Sequence, residues 1–269
     1  MAVSEQQTKA IEEIQRMVAR LLATNPAGHG LCLIGGFRYR FLDHSARQSR
    51  DLDYHWEGDL AVKQAELVSF FERRLLPEAK RRLAYEGDVR SATGPEGDSP
   101  SVRIVELAFW PSSGPGGRVE VPVDITRIVC LDPLTVRTAD GVVYPTPSNA
   151  DLIESKVIAL FNRHHMEHRD LVDLFLFSSH LRPDSAERLR DKFARLSIAH
   201  ETILRQLRDW ETYPDHHIRS VAAIIADQLD PSAAANLQAA GGAMLVFETV
   251  RQLLVSTLKL GKERTDESA

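Results

Sequence analysis

Residues 31–56 constrain this chain more than any other stretch, and they read LCLIGGFRYRFLDHSARQSRDLDYHW. The apolar residues 31–34 predict a buried strand, and Gly35-Gly36 predicts a tight turn into a short helix. A second strand then carries Asp51 and Asp53. Because residues two apart on a strand point to the same face, these carboxylates should lie together. They repel each other unless a cation or a shared proton separates them, which indicates a divalent metal such as Mg²⁺.

Hydrophobic periodicity divides the chain into an α+β part and a helical part. Up to residue 147 it predicts an N-terminal helix, the strand–turn–helix–strand segment, a helix over 60–82, a polar loop over 91–100 and hairpins over 102–129 and 135–144. Beyond it, helices are predicted over 148–163, 169–179, 185–212, 216–229 and 231–260. We therefore expect an α+β domain over 1–147, a helical domain over 148–260 and a disordered charged tail over 261–269.

Composition narrows the class of protein. A hydrophobic content of 43% is typical of a soluble globular chain, and a net charge of −5 argues against non-specific nucleic-acid binding by the whole surface. Cys32 and Cys130 lie in apolar runs, which favours reduced thiols over a disulfide. The N-terminus lacks the features of a signal peptide, and no run approaches the ~18 apolar residues of a membrane span. The sequence predicts a cytoplasmic protein.

Two further features fit the same chemistry. Asp124 lies in an otherwise apolar strand, where a carboxylate is costly unless it is satisfied. Lys156 lies on a helix with Arg163 near one side, so cationic groups would meet an anionic substrate. The glycine pair lets the backbone approach a phosphate, and the helix after it directs free N–H groups at the anion. Together these residues predict two-metal phosphoryl or nucleotidyl transfer.

The order of these motifs resembles two related groups of proteins. The pattern of the DNA-polymerase-β-type nucleotidyltransferase superfamily is matched by Gly35-Gly36, Arg47-x-Ser49-x-Asp51-Leu52-Asp53 and Asp124. Two further segments resemble the AbiEii/AbiGii toxin family, which includes the MenT-type toxins. They are Lys156-x-x-Ala159-Leu160-x-x-Arg163 and Arg169-Asp170-x-x-Asp173-Leu174. The resemblance covers about residues 30–180. It departs from many family members in Phe37-Arg38-Tyr39-Arg40, where a small or hydroxyl residue usually follows the glycines.

The resemblance implies a polymerase-β-type domain with a mixed sheet, followed by a helical domain that contributes Lys156 to the site. The implied reaction moves NMP from an NTP to an acceptor, which is tRNA in related toxins, and releases pyrophosphate. It implies a two-metal Mg²⁺ site on Asp51, Asp53 and Asp124, with Asp124 also helping to activate the attacking hydroxyl. It implies NTP contacts from Gly35, Gly36, Arg47, Ser49, Lys156 and Arg163, and it gives Asp170 a catalytic position. The implied partners are NTP, RNA and a cognate antitoxin, with no membrane.

Other interpretations of the same residues remain open. A nucleotidyltransferase that modifies a small molecule such as an aminoglycoside fits the negative net charge, and a silent homologue would bind nucleotide or a partner without turnover. Arg38, Arg40, Arg47 and Arg50 predict a basic patch for phosphates or RNA, or else a solvated helix face. Pro122 suggests an edge strand for Asp124, and Asp170 and Asp173 are also suited to caps or salt bridges.

Histidines form a separate feature of the sequence. His164, His165 and His168 have spacings that would place two imidazoles on one helical face, as in a zinc site, but the sequence supplies no evident third ligand. A helix C-terminus is the alternative explanation, because histidine commonly meets the dipole there. His216-His217 opens a later helix.

Overall fold

The chain groups into two units in a computed structural model that describes residues 5–93, 101–113, 117–163 and 166–266, with side chains described only between 6 and 258. The first unit comprises residues 1–128 and 134–147, and the second comprises 129–133 and 148–269. The division after Pro147 coincides with the change of pattern in the sequence. Residues 129–133 group with the second unit although they precede it in the chain.

The first unit contains four helices and eight strands among its described residues. The helices are α1 Glu5–Ala23, α2 Gly35–Leu42, α3 Leu60–Phe70 and α4 Leu76–Leu83. The strands are β1 Cys32–Ile34, β2 Leu52–His55, β3 Tyr85–Thr93, β4 Val102–Pro111, β5 Val119–Glu120, β6 Val123–Thr126, β7 Thr135–Ala139 and β8 Val142–Thr146. A 3₁₀ turn, Pro26–Gly28, precedes β1, and a π-helical turn, Phe71–Leu75, joins α3 to α4.

The main sheet is mixed, as predicted. Its order is β1-β2-β6-β4-β3, with β5 beside β4. Only the β2–β6 pair is parallel among the described strands, and the others are antiparallel. Because β6 lies between β2 and β4, the edge-strand interpretation of Asp124 is wrong. Pro122 lies just outside β6, and its carbonyl accepts a hydrogen bond from the Leu52 N–H at 2.9 Å.

Burial alternates along the two central strands. On β6, Val123 and Ile125 are fully buried while Asp124 is partly exposed. On β2, Leu52 and Tyr54 are buried on either side of the partly exposed Asp53. Since successive side chains of a strand point to opposite faces, the apolar residues line the core and both aspartates point to the other face. The sheet therefore presents its acidic side chains without placing them in the hydrophobic core.

The second unit is helical, as predicted. Its helices are α5 Asn149–Asn162, α6 His168–Phe177, α7 Ser185–Arg195, α8 His200–Thr212, α9 Pro214–Gln228, α10 Pro231–Ala239 and α11 Gly242–Asp266. A 3₁₀ turn, Ser178–His180, follows α6. No helix in the described residues combines the length and apolarity needed to cross a membrane.

Several boundaries differ from the predicted ones. The helix predicted over 185–212 is broken where Ser197 adopts a positive φ of 56°, and the one predicted over 231–260 is broken at Gly241 and Gly242. Helix α11 continues to Asp266, past the predicted start of the tail, because its Lys, Glu and Arg residues are good helix formers. Residues 267–269 and most of the predicted 91–100 loop lie outside the described residues.

Strand β3 is missed by the sequence prediction, which has a loop begin at Ser91. Its residues are largely exposed, so it lacks the alternation of a half-buried strand. The predicted 60–82 helix is interrupted by the π-helical turn, which ends two residues before Pro77. Proline has no N–H to donate to the preceding turn, so an irregular turn at this point is expected.

A buried ionic network stabilises the second unit. Lys192 of α7 is fully buried and contacts Asp151 at 2.7 Å and Glu154 at 2.8 Å, both on α5. Arg188, one turn earlier on α7, contacts the same two carboxylates and also Asp132 at 3.0 Å. Burial alone would raise the pKa of Asp151, but Lys192 and the backbone N–H groups it binds lower that pKa below its ordinary value.

The same network explains why residues 129–133 belong to the second unit. The Leu131 and Asp132 N–H groups each donate to the Asp151 carboxylate at 2.9 Å. Ser148, which caps α5, donates its hydroxyl to Asp132 at 2.6 Å. These bonds satisfy a carboxylate that would otherwise be costly to bury, and they attach the connecting segment to α5.

Candidate active site

The turn between β1 and α2 is built around Gly35. Its φ of +75° is one that side-chain-bearing residues rarely adopt. A Cβ at this position would overlap the carboxylate of Asp53 and come within 2.7 Å of the Asp53 Cβ. Glycine is therefore required twice, by the backbone angle and by the close approach of Asp53.

Gly35→Ala is expected to reduce both stability and activity more than Gly141→Ala does. Gly141 is a matched control because it has a φ of +73°, but a Cβ added there would meet no atom within 4 Å. Both variants incur the left-handed backbone cost of about 1–2 kcal/mol. Only Gly35→Ala also displaces Asp53. Denaturant unfolding of both variants measures the difference in stability. Equal losses of free energy of unfolding would show that the Asp53 side chain moves aside at no cost.

Asp53 and Asp124 are direct neighbours in the sheet. They are register partners in the parallel β2–β6 pair, and the residue on the other side of Asp53 is Ile34, just before the glycine turn. Partner residues on adjacent strands point to the same face, about 4.8 Å apart. Two like charges in such a pair repel each other, so the arrangement favours a bound cation.

Asp51 lies just before β2 and is held differently. Its Oδ1 accepts a hydrogen bond from the Ser49 hydroxyl at 2.6 Å, and both residues are buried. From α1, the buried Gln15 side chain donates to the Ser49 and Asp51 carbonyls at 3.0 and 3.1 Å. Gln15 thus fixes the backbone that carries both side chains. Sequence reasoning missed it because a glutamine on an amphipathic helix carries no signal of a long-range role.

Gly36 provides room for the remaining motif residues. A Cβ there would overlap the Arg47 guanidinium and lie 2.6 Å from the Ser49 hydroxyl oxygen. Arg47 is buried, and its guanidinium also donates to the Gln48 carbonyl at 3.0 Å. The structure therefore brings together Gly35, Gly36, Arg47, Ser49, Asp51, Asp53 and Asp124, the predicted site residues of the first unit.

The predicted basic patch is not one surface. Arg38 is buried, forms an ion pair with Asp43 and donates to the Thr146 hydroxyl at 3.3 Å. Burial lowers the pKa of Arg38 to about 10, which leaves it charged at neutral pH. Arg40 contacts Glu12 at 3.1 Å, whereas Arg50 is exposed beside the motif. The prediction of one basic surface is wrong because Arg38 pairs with Asp43 at the end of its own helix and Arg40 pairs with Glu12 of α1.

The predicted site residues of the second unit form an ion cluster of their own. Lys156 on α5 contacts Asp170 at 2.8 Å and Asp173 at 3.1 Å, both on α6. Arg163 contacts the other oxygen of Asp170 at 2.9 Å. Both carboxylates are buried while the Arg163 side chain is 43% exposed. The salt-bridge interpretation of Asp170 and Asp173 thus describes their contacts, which join two helices rather than lie within one.

The aspartates of the first unit fit Mg²⁺ in part. Oxygen ligands suit this ion, which prefers one or two carboxylates together with substrate phosphates. Asp53 and Asp124 supply such a pair. In the described residues, the sole trio of His, Cys, Asp or Glu with all ligand atoms within 4.8 Å of one another is a histidine cluster in the second unit. The three aspartates therefore do not converge on one point, and Asp51 is directed to Ser49.

A glycine turn packed against paired strand carboxylates, on a mixed sheet, is compatible with nucleotidyl transfer, and the family match identifies the protein as a nucleotidyltransferase. The chain belongs to the nucleotidyl transferase AbiEii toxin family of type IV toxin–antitoxin systems, whose model matches residues 16–252. It is thus a toxin-type nucleotidyltransferase, in agreement with the resemblance seen in its sequence. No curated protein sequence matches the chain.

Solved structures share the fold at low sequence identity. A candidate nucleotidyltransferase of Helicobacter pylori is 18% identical, with a TM-score of 0.57 over 97% of this chain and 98% of that one. JHP933 of Helicobacter pylori is 18% identical, with a TM-score of 0.54 over 99% and 97%. MenT4, a nucleotidyltransferase toxin of Mycobacterium tuberculosis, is 18% identical, with a TM-score of 0.53 over 74% and 71%.

Proposed function

We propose that this protein uses Mg²⁺ to transfer a nucleoside monophosphate from an NTP to an RNA acceptor, with tRNA as the first candidate. The observation that carries the proposal is the pairing of Asp53 with Asp124 beside the Gly35 turn. Bound there, Mg²⁺ would neutralise the triphosphate and the two carboxylates. The toxin family of the chain supports the transferase and its role as a toxin. The RNA acceptor is proposed from the resemblance of the sequence motifs to toxins that modify tRNA.

Each site residue has a defined part in this proposal. Gly35 and Gly36 admit the triphosphate to the start of α2, where backbone N–H groups face the anion. Asp124 accepts the proton of the acceptor hydroxyl, whose oxygen then attacks the α-phosphorus. The bond from that phosphorus to the bridging oxygen breaks, and pyrophosphate leaves with the electron pair. Asp51 and Asp53 would complete the Mg²⁺ ligands; the Ser49 hydroxyl binds only Oδ1 of Asp51, and the carboxylate has a second oxygen.

The second unit contributes charge in the same proposal. Lys156 and Arg163 neutralise phosphate, and Asp170, held between them, fixes both cations. A cognate antitoxin is the expected protein partner, because the family is one of toxin–antitoxin systems.

Label transfer tests the proposal directly. Each α-³²P-NTP is incubated with Mg²⁺, total tRNA and the protein, in parallel with the Asp51→Ala/Asp53→Ala double variant. Label on RNA from the wild type alone supports the proposal and identifies the nucleotide. Label only on an added small hydroxylated acceptor such as an aminoglycoside would overturn the RNA acceptor but not the transferase. Mg-NTP binding without transfer to either acceptor would support a silent homologue.

Lys156→Ala is expected to lower kcat by at least about tenfold, because removal of one phosphate-neutralising donor typically costs that much or more. Stability also falls, since the buried Asp170 and Asp173 lose a partner, so rates are compared per folded molecule. Lys80→Ala is the matched control, as its side chain is 65% exposed. An unchanged kcat in Lys156→Ala would remove this residue from the reaction.

A further inference from the structure

Three histidines meet in the second unit, and none of them takes part in the proposed transfer reaction. His168 is the first residue of α6, and His216 and His217 lie in the first turn and a half of α9. Each offers a ring nitrogen within 4.8 Å of the other two. The His168 Nε2 and His217 Nδ1 atoms are 3.0 Å apart.

These spacings are close to those around a tetrahedral zinc ion. With Zn–N distances of 2.0–2.1 Å, two ligand nitrogens lie about 3.3 Å apart. One pair of ring nitrogens is already near this separation, and the third is within reach of both. His168 and His217 are half-buried, whereas His216 is exposed, which leaves the cluster open to solvent on one side.

The surroundings of His217 hold its ring in place. It stacks on Phe247 with ring centroids 5.7 Å apart and an interplanar angle of 9°, and the Trp210 ring lies 5.9 Å away. The position of this ligand is therefore set by the aromatic side chains around it.

We propose that His168, His216 and His217 form a zinc-binding site, with the fourth ligand position open to water. Imidazole nitrogens favour Zn²⁺ and other borderline transition metals, and Mg²⁺ does not compete for them. Such an ion would tie the start of α6 to the start of α9. Helix α6 also carries Asp170 and Asp173, so the ion would stabilise the helix whose carboxylates pair with Lys156.

Part of this site is present in the sequence pattern. The spacing of His164, His165 and His168 already suggests zinc without supplying a third ligand, and the fold supplies two histidines from α9 instead. His164 and His165 lie outside the described residues.

Isothermal titration of the tag-free, EDTA-treated full chain with ZnCl₂ tests the proposal. We expect one saturable Zn²⁺ per chain, a zinc-dependent rise in Tm and no displacement by millimolar Mg²⁺. His216→Gln should weaken binding by at least about tenfold and abolish the rise in Tm. Because His216 is exposed, this variant should fold like the wild type; His168→Gln should weaken binding similarly.

A matched variant distinguishes the cluster from scattered surface histidines. His200→Gln removes an exposed histidine at the start of α8 and should leave zinc binding unchanged. The proposal is overturned if wild type shows no saturable binding, or if His216→Gln and His168→Gln both bind as wild type does. It is also overturned if a His164→Gln/His165→Gln variant alone abolishes binding, because other ligands would then hold the ion.

Discussion

Asp53→Asn is expected to reduce nucleotidyl transfer by more than about 100-fold. Loss of a residue that hydrogen-bonds to a metal ligand typically costs about 10–100-fold, and loss of a direct ligand of the proposed Mg²⁺ should cost more. Asp53 is the residue at which the three parts of the site meet. It is the register partner of Asp124, it is adjacent to Ile34, and its side chain occupies the space that a Cβ on Gly35 would fill. No other aspartate of the first unit has this position among the described residues.

The stability of the same variant provides a second readout. Any rise in Tm caused by Mg²⁺ should be smaller than in the wild type. Asp88→Asn is the matched control, because Asp88 is a partly exposed aspartate on β3 at the far end of the sheet order. Retained activity in Asp53→Asn would contradict the assigned site.

Lys192→Met is expected to destabilise the protein by about 3–5 kcal/mol, the cost of removing one partner from a buried ion pair. Among the described residues, Asp151 and Glu154 would keep Arg188 as their one cationic partner, together with neutral hydrogen-bond donors. Denaturant unfolding at pH 7 measures the loss. Arg195→Met on the same helix is the control, since its exposed pair with Asp191 is worth about 0.3–0.5 kcal/mol. A loss below about 1 kcal/mol in Lys192→Met would contradict the expectation.

The destabilisation caused by Lys192→Met should be smaller in acid than at pH 7. The pKa of Asp151 is lowered in the folded protein, so its contribution to stability is present above its ordinary value of 3.8 and is lost as the pH falls below it. Once Asp151 is protonated, the missing charge of Lys192 matters less. The stability difference between wild type and Lys192→Met should therefore narrow below about pH 4. Unfolding curves at pH 7 and in this acid range measure the change.

The sequence predicts which residues of the first unit come together largely because their signals are local. The Gly35 turn and the alternation of Asp51, Leu52 and Asp53 are encoded within neighbouring residues, and local patterning is what periodicity detects. The parallel pairing of β2 with β6 is not encoded locally. It joins Asp53 to a residue far along the chain. The sequence grouped Asp124 with Asp53 through its cost in an apolar strand and through the family resemblance, but it did not predict this strand pairing.

Long-range polar contacts account for what could not be predicted. Gln15 and Glu12 act from α1 on residues of the 31–56 stretch, so nothing near them in the chain indicates a partner. The histidine cluster likewise depends on α6 packing against α9. Helix breaks at Ser197 and Gly241 are set by left-handed backbone angles, which apolar spacing does not report.

The contacts of residues 129–133 constrain the order in which the second unit folds during synthesis. Backbone N–H groups of this segment bind Asp151, which is translated later. The Asp132 side chain binds Arg188, which lies 56 positions further along the chain. A nascent chain that has emerged from the ribosome only as far as residue 147 would hold this segment with none of those partners. The connecting segment therefore gains its full set of partners only after α7 has emerged.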